Sequence, residues 1–333
     1  MIDSDILVSV NIPTYNRHRE LERLLESISS QATPDVIDAL EINIYDNNST
    51  DETKSVVARY YERLPRLYYI CSDVNEGPFV NLHKAYRGGK AEYVWAIGDD
   101  DLLLPNALRE IFSTLRLHRP DMLLTGWRRF IVDELYNVRF IDQDSSGQIL
   151  FIKDIDPALV CVQVDSFVGF ISANIIKRNL IHRIAPEVYT DADNTGGAGH
   201  ALLFFDAIVN DYNPLLLPAR KYIGQQVDNG HLSHEAWLHA HILYCNYFIN
   251  YFASSKLVLR NHVVKHFHRR RLSGVIKRII SEKYRNHDCG AIISDQRITS
   301  LLSFGQIALL KAISITPSLL IRLVYNAFNT PRS

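Results

Sequence analysis

Residues 91–101 read Ala91-Glu92-Tyr93-Val94-Trp95-Ala96-Ile97-Gly98-Asp99-Asp100-Asp101. A run of apolar, β-branched and aromatic residues closed by a glycine predicts a buried strand, with the three carboxylates at its carboxyl end. Open α/β sheets bind ligands at that end of their strands. Three adjacent anions repel one another, so the arrangement calls for a hard cation or a solvated turn to neutralise them. Oxygen ligands of this kind suit Mg²⁺ or Mn²⁺ carrying a phosphate. A solvated acidic turn capping the following helix is the alternative reading.

The flanking sequence repeats the pattern of strand then helix. Ile6 to Ile12 predicts a strand broken at Pro13, followed by a helix with Leu21, Leu24, Leu25 and Ile28 at helical spacing. Neither a G-x-G-x-x-G turn nor a Gly-Lys-Ser/Thr loop follows that strand. The turn Pro13-Thr14-Tyr15-Asn16 instead offers a hydroxyl, an aromatic face and an amide beside a helix amino terminus. Those groups suit a nucleobase edge; an N-cap by Thr14 or Asn16 fits the same residues.

Glu41 to Asp46 reads as the second strand. Ser49 and Glu52 form a capping-box pattern, which leaves Asp46 at the strand tip, placed to accept a hydrogen bond from a base or ribose. Arg66 to Ser72 predicts a third strand, Asn75-Glu76-Gly77-Pro78 a turn, and Phe79 to Arg87 a helix. Past the acids come a helix ending near His118 and a fifth strand from Met122 to Thr125. These βα units predict an α/β protein with a doubly wound, parallel sheet.

Val8 to Arg17, Asp46 to Thr53, Asn75-Glu76-Gly77-Pro78 with Asn81, and Gly98-Asp99-Asp100-Asp101 with Pro105 resemble, in order and spacing, the family 2 glycosyltransferases of GT-A fold. Gly-Asp-Asp-Asp together with Ser166 to Ser172 is similar to the abequosyltransferase-type branch that builds bacterial O-antigen or capsule polysaccharide. The resemblance implies that Pro13, Thr14, Tyr15 and Asp46 hold the donor nucleotide, with Asp99 on the ribose. It implies that Asp100 and the adjacent Asp101 take Mn²⁺ or Mg²⁺ on the donor diphosphate. Many relatives read Asp-x-Asp-Asp, whereas Gly98 stands where the first of those acids would be. The family usually keeps its catalytic carboxylate in a Glu-Asp pair opening a helix near residue 200. This chain has Gly199-His200 there, so Asp193, then Asp191 and His200, are the candidates for the base, with Asp206 next.

The remaining sequence is read more coarsely. Trp127 to Leu150 predicts strands joined by a turn at Ser145-Ser146-Gly147, Asp165 to Ser172 a β-rich segment, Ala173 to His182 a helix, and Pro186 to His200 a loop. Gln225 to His231 reads as a second polar loop, from which His231 or His234 would reach a phosphate or the metal; a structural histidine is the plainer alternative. Residues 1–235 are expected to form the catalytic domain, with a nucleotide-binding half over 1–125 and an acceptor half over 126–235. Residues 236–333 are expected to form a helical, basic carboxyl-terminal region.

Charge separates these regions. The chain of 333 residues has a net charge of −1, but 14 of its 36 Lys and Arg and 3 of its 37 Asp and Glu lie from Tyr251 onward. Ala236 to Ser281 contains no acid at all. An acidic front and a basic tail predict an anionic partner for the tail alone. An anionic membrane surface, met peripherally, is expected, and contact with a second subunit is the alternative; no nucleic acid partner is expected. Thr299 to Phe328 is apolar but divided by Lys311 and Pro317, which favours two short interfacial helices over a span. The four cysteines show no paired spacing, and no export signal is read at the amino terminus. The expected location is the cytoplasm, at the inner face of the cell membrane.

The resulting expectation is an inverting, metal-dependent transfer of a sugar from a nucleotide-sugar donor to a lipid-linked oligosaccharide. A non-catalytic sugar-nucleotide-binding subunit and a sugar nucleotidyltransferase are the rival readings. The latter would want a Gly-rich, basic loop where Pro13-Thr14-Tyr15 stands.

Overall fold

The computed structural model describes residues 5–133, 136–141, 149–151, 170–183, 203, 216–218, 221–226 and 304–315. The chain divides into two compact units, one of Met1–Ala192 with Ala198–Asn229 and the other of Asp193–Gly197 with Gly230–Ser333.

In the first unit the apolar runs become strands with neighbours on both sides. β1 (Val8–Thr14), β2 (Leu40–Asp46) and β4 (Tyr93–Ala96) are buried along almost their whole length, as strands of a sheet covered by helices must be. β1 pairs in parallel with β2 and with β4, and β2 in parallel with β3 (Leu67–Cys71). The helices α1 (His18–Ser29), α3 (Thr53–Ala58) and α4 (Pro78–Arg87) connect them. α1 buries Leu21, Leu24, Leu25 and Ile28, the residues at helical spacing, and each is worth on the order of 2 kcal/mol of apolar burial. A short helix, α2 (Pro34–Ile37), leads into β2. α4 starts at Gly77, whose φ of 87° favours glycine, with Pro78 at its first position.

β1 runs through Pro13 rather than breaking there. Ile97 N donates to Asn11 O and Asn47 N to Thr14 O, so odd-numbered residues of β1 face β4 and even-numbered ones face β2. The pairing with β4 ends at Asn11, opposite Ala96, so the N–H that proline lacks would have had no ladder partner.

The sheet is not wholly parallel. After β5 (Leu102–Leu103) and α5 (Ala107–His118), β6 (Met122–Leu124) does not join β4. β10 (Asn174–Lys177) lies between them, antiparallel to both. The helix expected over Ala173 to His182 is thus a 3₁₀ turn at Ile171–Ala173, then β10, with helix only in α6 (Arg178–Ile181). Ladder hydrogen bonds to two neighbours override the local pattern there. β11 (Leu216–Pro218) and β9 (Ile149–Phe151) extend the sheet beyond β6.

A second sheet of order β5-β12-β7-β8 packs beside it, from β7 (Gly126–Val132), β8 (Val138–Phe140) and β12 (Lys221–Gln226). β7 and β8 are antiparallel, with Asp133 N donating to Asn137 O at 3.1 Å and Tyr136 N to Asp133 O at 2.9 Å, so the chain reverses ahead of the predicted Ser145-Ser146-Gly147, which lies outside the described residues. Gln225 and Gln226, expected in a loop, close β12 by pairing with Arg129 and Phe130. In the second unit the described helix is α7 (Phe304–Ile315), mostly apolar with Lys311 as its one charged residue, and with Ile315 exposed. Among the described residues no helix is long and apolar enough to cross a membrane.

Candidate functional site

The carboxyl ends of β1, β2 and β4 meet on one edge of the main sheet. The loops leaving them are joined side chain to backbone. Asn16, at φ 53°, donates its N–H to Ser49 Oγ at 2.8 Å, and its Oδ1 accepts from Thr50 N at 2.8 Å. Asn47 accepts from Glu76 N at 2.9 Å and donates to Asn75 at 2.7 Å. Asn81 of α4 donates to Tyr45 O at 2.8 Å. The expected nucleotide-binding segments therefore form a single ledge.

Asp51 anchors two helices to that ledge. Its Oδ2 accepts from His18 N at 3.1 Å and Nδ1 at 2.8 Å, and its Oδ1 from Thr53 N at 3.0 Å. Burial pushes this carboxyl up, but the bonds from Thr53 and His18 together outweigh it and hold it at about 2. The capping box expected from Ser49 and Glu52 does not form. Ser49 turns inward and donates to Asp46, leaving the neighbouring Asp51 to cap α3.

Asp46 is fully buried at the tip of β2. One carboxylate oxygen takes Ser49 N at 3.0 Å and the Ser49 hydroxyl; the other takes the Tyr69 hydroxyl. Tyr15 stands open at the end of β1, 42% exposed, and Pro13 is half-buried beside it.

The three acids after β4 do not share one environment. Asp101 N donates to Gly98 O at 3.1 Å, closing a tight turn. A Cβ at Gly98 would lie 2.9 Å from Asp100 Oδ1 and 3.2 Å from Asp101 Oδ2, so the acids fold back over a residue without a side chain.

Asp99 is buried and accepts from Thr14 Oγ1 at 2.7 Å. Burial and the adjacent Asp100 push its carboxyl up to about 7, against the pull of Arg17 and Thr14. Asp101 is also buried, where it accepts the Ser172 hydroxyl; burial and Asp100 raise it well above the usual carboxylate range. Ser172 accepts from Gly98 N at 2.9 Å and its carbonyl takes Trp95 Nε1 at 2.7 Å. Asp100 is the most open of the three, with a side chain 31% exposed, and accepts from Arg17 Nη1 at 2.7 Å. Arg17 and Ser172, given no role from sequence, are thus direct partners of the acids. Both close motifs that carry the family resemblance, Val8 to Arg17 and Ser166 to Ser172, but neither motif shows which acid its last residue meets.

The donor set here is hard carboxylate oxygen, which fits Mg²⁺ or Mn²⁺. Among the described residues no three His, Cys, Asp or Glu side chains converge as a cage. Asp191, Asp193, His200, Asp206, His231 and His234 lie outside the described residues.

Residues 9–173 match the sequence model of Glycosyl transferase family 2. A GalNAc(5)-diNAcBac-PP-undecaprenol β-1,3-glucosyltransferase of Campylobacter jejuni is 37% identical over 107 residues, 32% of this chain and 33% of that protein. The abequosyltransferase RfbV of Salmonella typhimurium is 37% identical over 105 residues, 31% of each. The chain thus matches about a third of the length of these relatives. The fold is similar to that of a Pyrobaculum calidifontis mannosyltransferase solved with GDP-Man and Mn²⁺. The TM-score is 0.56 at 17% identity, covering 99% of this chain and 90% of that one.

Proposed function

Residues 9–173 belong to glycosyl transferase family 2, and from that premise we propose that the protein moves a sugar from a nucleotide-sugar donor to a lipid-linked oligosaccharide in bacterial polysaccharide assembly. The transfer inverts the anomeric carbon and depends on Mn²⁺ or Mg²⁺. The observation that carries this reading is the Thr14–Asp99 bond, which brings the nucleotide ledge and the acid turn into one site. The named lipid-linked substrate of the Campylobacter relative and the donor and Mn²⁺ of the Pyrobaculum structure support it.

In this mechanism the Tyr15 face stacks on the base, beside Pro13. A base or ribose group takes the place of one of the donors now on Asp46. Thr14 positions Asp99 for the ribose. Asp100 and Asp101, with His231, would hold a divalent cation, and bound there it would supply Lewis-acid neutralisation of the departing diphosphate. Asp193, or failing it Asp191 or His200, accepts the proton of the acceptor hydroxyl. That oxygen bonds to the anomeric carbon as the bond to the diphosphate breaks on the opposite face, which inverts the centre.

The acid-free basic stretch 236–281 and the apolar α7 support docking of the carboxyl-terminal region on an anionic membrane surface at the cytoplasmic face. Self-association through the same region is the competing use.

Thermal shift with UDP-, GDP-, dTDP- and CDP-sugars in Mn²⁺ tests donor binding. A ligand at 100 times its Kd adds about 2.7 kcal/mol to the native state, so one nucleotide class should raise Tm clearly. No shift with any of the four contradicts the proposal.

A further inference from the structure

Arg17 is lodged where the reading above calls for a metal. Its backbone opens α1, with Leu21 N donating to its carbonyl at 3.0 Å. Its guanidinium Nη1 lies 3.4 Å from Asp99 Oδ1 and 2.7 Å from Asp100 Oδ2. A divalent ion bound through the same Asp100 oxygen would meet a positive charge at contact distance, and like charges that close repel strongly in a half-buried site. The cation and the guanidinium therefore compete for that oxygen, Asp100 Oδ2.

We propose that Arg17 is an exchangeable counter-ion: it neutralises Asp99 and Asp100 while the site is empty of donor, and it passes to the donor's diphosphate when a divalent cation takes over the acids. The proposal rests on the glycosyltransferase reading and adds the residue that couples metal to nucleotide.

Three features support the exchange. The Arg17 side chain is 38% exposed and has solvent to move through. Thr14 holds Asp99 by Oδ2 while Arg17 uses Oδ1, so Asp99 keeps its place when Arg17 leaves. Arg17 stands at the amino terminus of α1, whose dipole favours an anion, as Asp51 on His18 N already shows, and a guanidinium binds phosphate oxygens in pairs. The consequence is ordered, cooperative loading. A metal alone must displace Arg17 with nothing to receive it, whereas a metal arriving with a diphosphate gives the guanidinium a new partner. By linkage, each then tightens the other by the same factor.

The test is Mn²⁺ binding to the full chain, measured by electron paramagnetic resonance with and without UDP or GDP. Wild type should bind Mn²⁺ weakly alone and more tightly with the nucleotide. Arg17→Gln should bind Mn²⁺ alone about tenfold more tightly, having lost the competitor, yet bind nucleotide with Mn²⁺ more weakly, so that the coupling falls about tenfold or more. Arg17→Lys, which keeps the charge, should retain part of the coupling. A merely structural Arg17 would weaken both kinds of binding or neither. If wild type binds Mn²⁺ and Arg17→Gln binds it no more tightly, Arg17 is not a counter-ion in exchange. If wild type binds no Mn²⁺ with either nucleotide, the metal reading falls first and the role of Arg17 falls with it.

Discussion

The Thr14 hydroxyl donates to Asp99 Oδ2 over 2.7 Å, joining the ends of the first and fourth strands through their side chains. Thr14→Val keeps the shape and removes the donor, leaving a buried carboxylate oxygen short of a partner. The expected loss is about 1–3 kcal/mol in denaturant unfolding, with weaker donor binding. Unchanged unfolding and binding would mean that the bond does not organise the site.

Asp51 holds the first N–H of both α1 and α3. Asp51→Ala is expected to cost about 1 kcal/mol for each helix start. The folded carboxyl sits at about 2 against an ordinary 3.8, so the unfolded chain takes up its proton first as pH falls. The contribution is therefore complete above pH ~4 and is lost as pH drops toward ~2. Urea unfolding of both proteins at pH 6 and near pH 2.5 checks this. A gap between them that is equally wide at both pH values would show that Asp51 stabilises by some other route.

The candidate bases Asp193, Asp191 and His200 lie outside the described residues. Asp193→Asn is predicted to lower kcat by roughly 10²-fold or more with donor affinity unchanged, as loss of general-base assistance should. Normal turnover in Asp193→Asn, Asp191→Asn and His200→Gln would place the base elsewhere, with Asp206 next.

Docking on membranes should be electrostatic. The full chain is predicted to float with anionic vesicles and not with neutral ones, to be released by high salt, and to bind less well after Arg269, Arg270 and Arg271 are changed to serine, since each charge is worth about 1 kcal/mol near an anionic leaflet. Equal flotation with both vesicle types contradicts the membrane role and favours a subunit contact.

The parallel half of the sheet was legible because strands buried on both faces are rich in apolar residues: Tyr93 to Ile97 is an unbroken apolar run, and Val8 to Ile12 carries Val8, Val10 and Ile12 between a Ser9 and an Asn11 that are buried and hydrogen-bonded. The spacing of Leu21, Leu24, Leu25 and Ile28 gave α1 for the same reason. β10 was hidden because Asn174-Ile175-Ile176-Lys177 is too short to show a period, and its pairing with β4 and β6 is decided by residues far away in the chain. The spacing of Ser49 and Glu52 was correct for a capping box, but spacing does not reveal that Asp46 competes for the serine. Likewise the acids announced themselves, while Ser172 reaches Asp101 across 71 positions that no local pattern records.

Release of nucleoside diphosphate from the nucleotide sugar that binds, with and without a lipid-linked acceptor, tests the central claim most directly. The account predicts acceptor-stimulated release by wild type, its abolition by EDTA and recovery on adding Mn²⁺. It also predicts a loss of roughly 10²- to 10³-fold in Asp100→Ala, which should unfold like wild type because that acid is the most open of the three. Full activity in EDTA, or in Asp100→Ala, would contradict a metal-dependent site at these acids, and donor binding without any acceptor-dependent turnover would contradict catalysis itself.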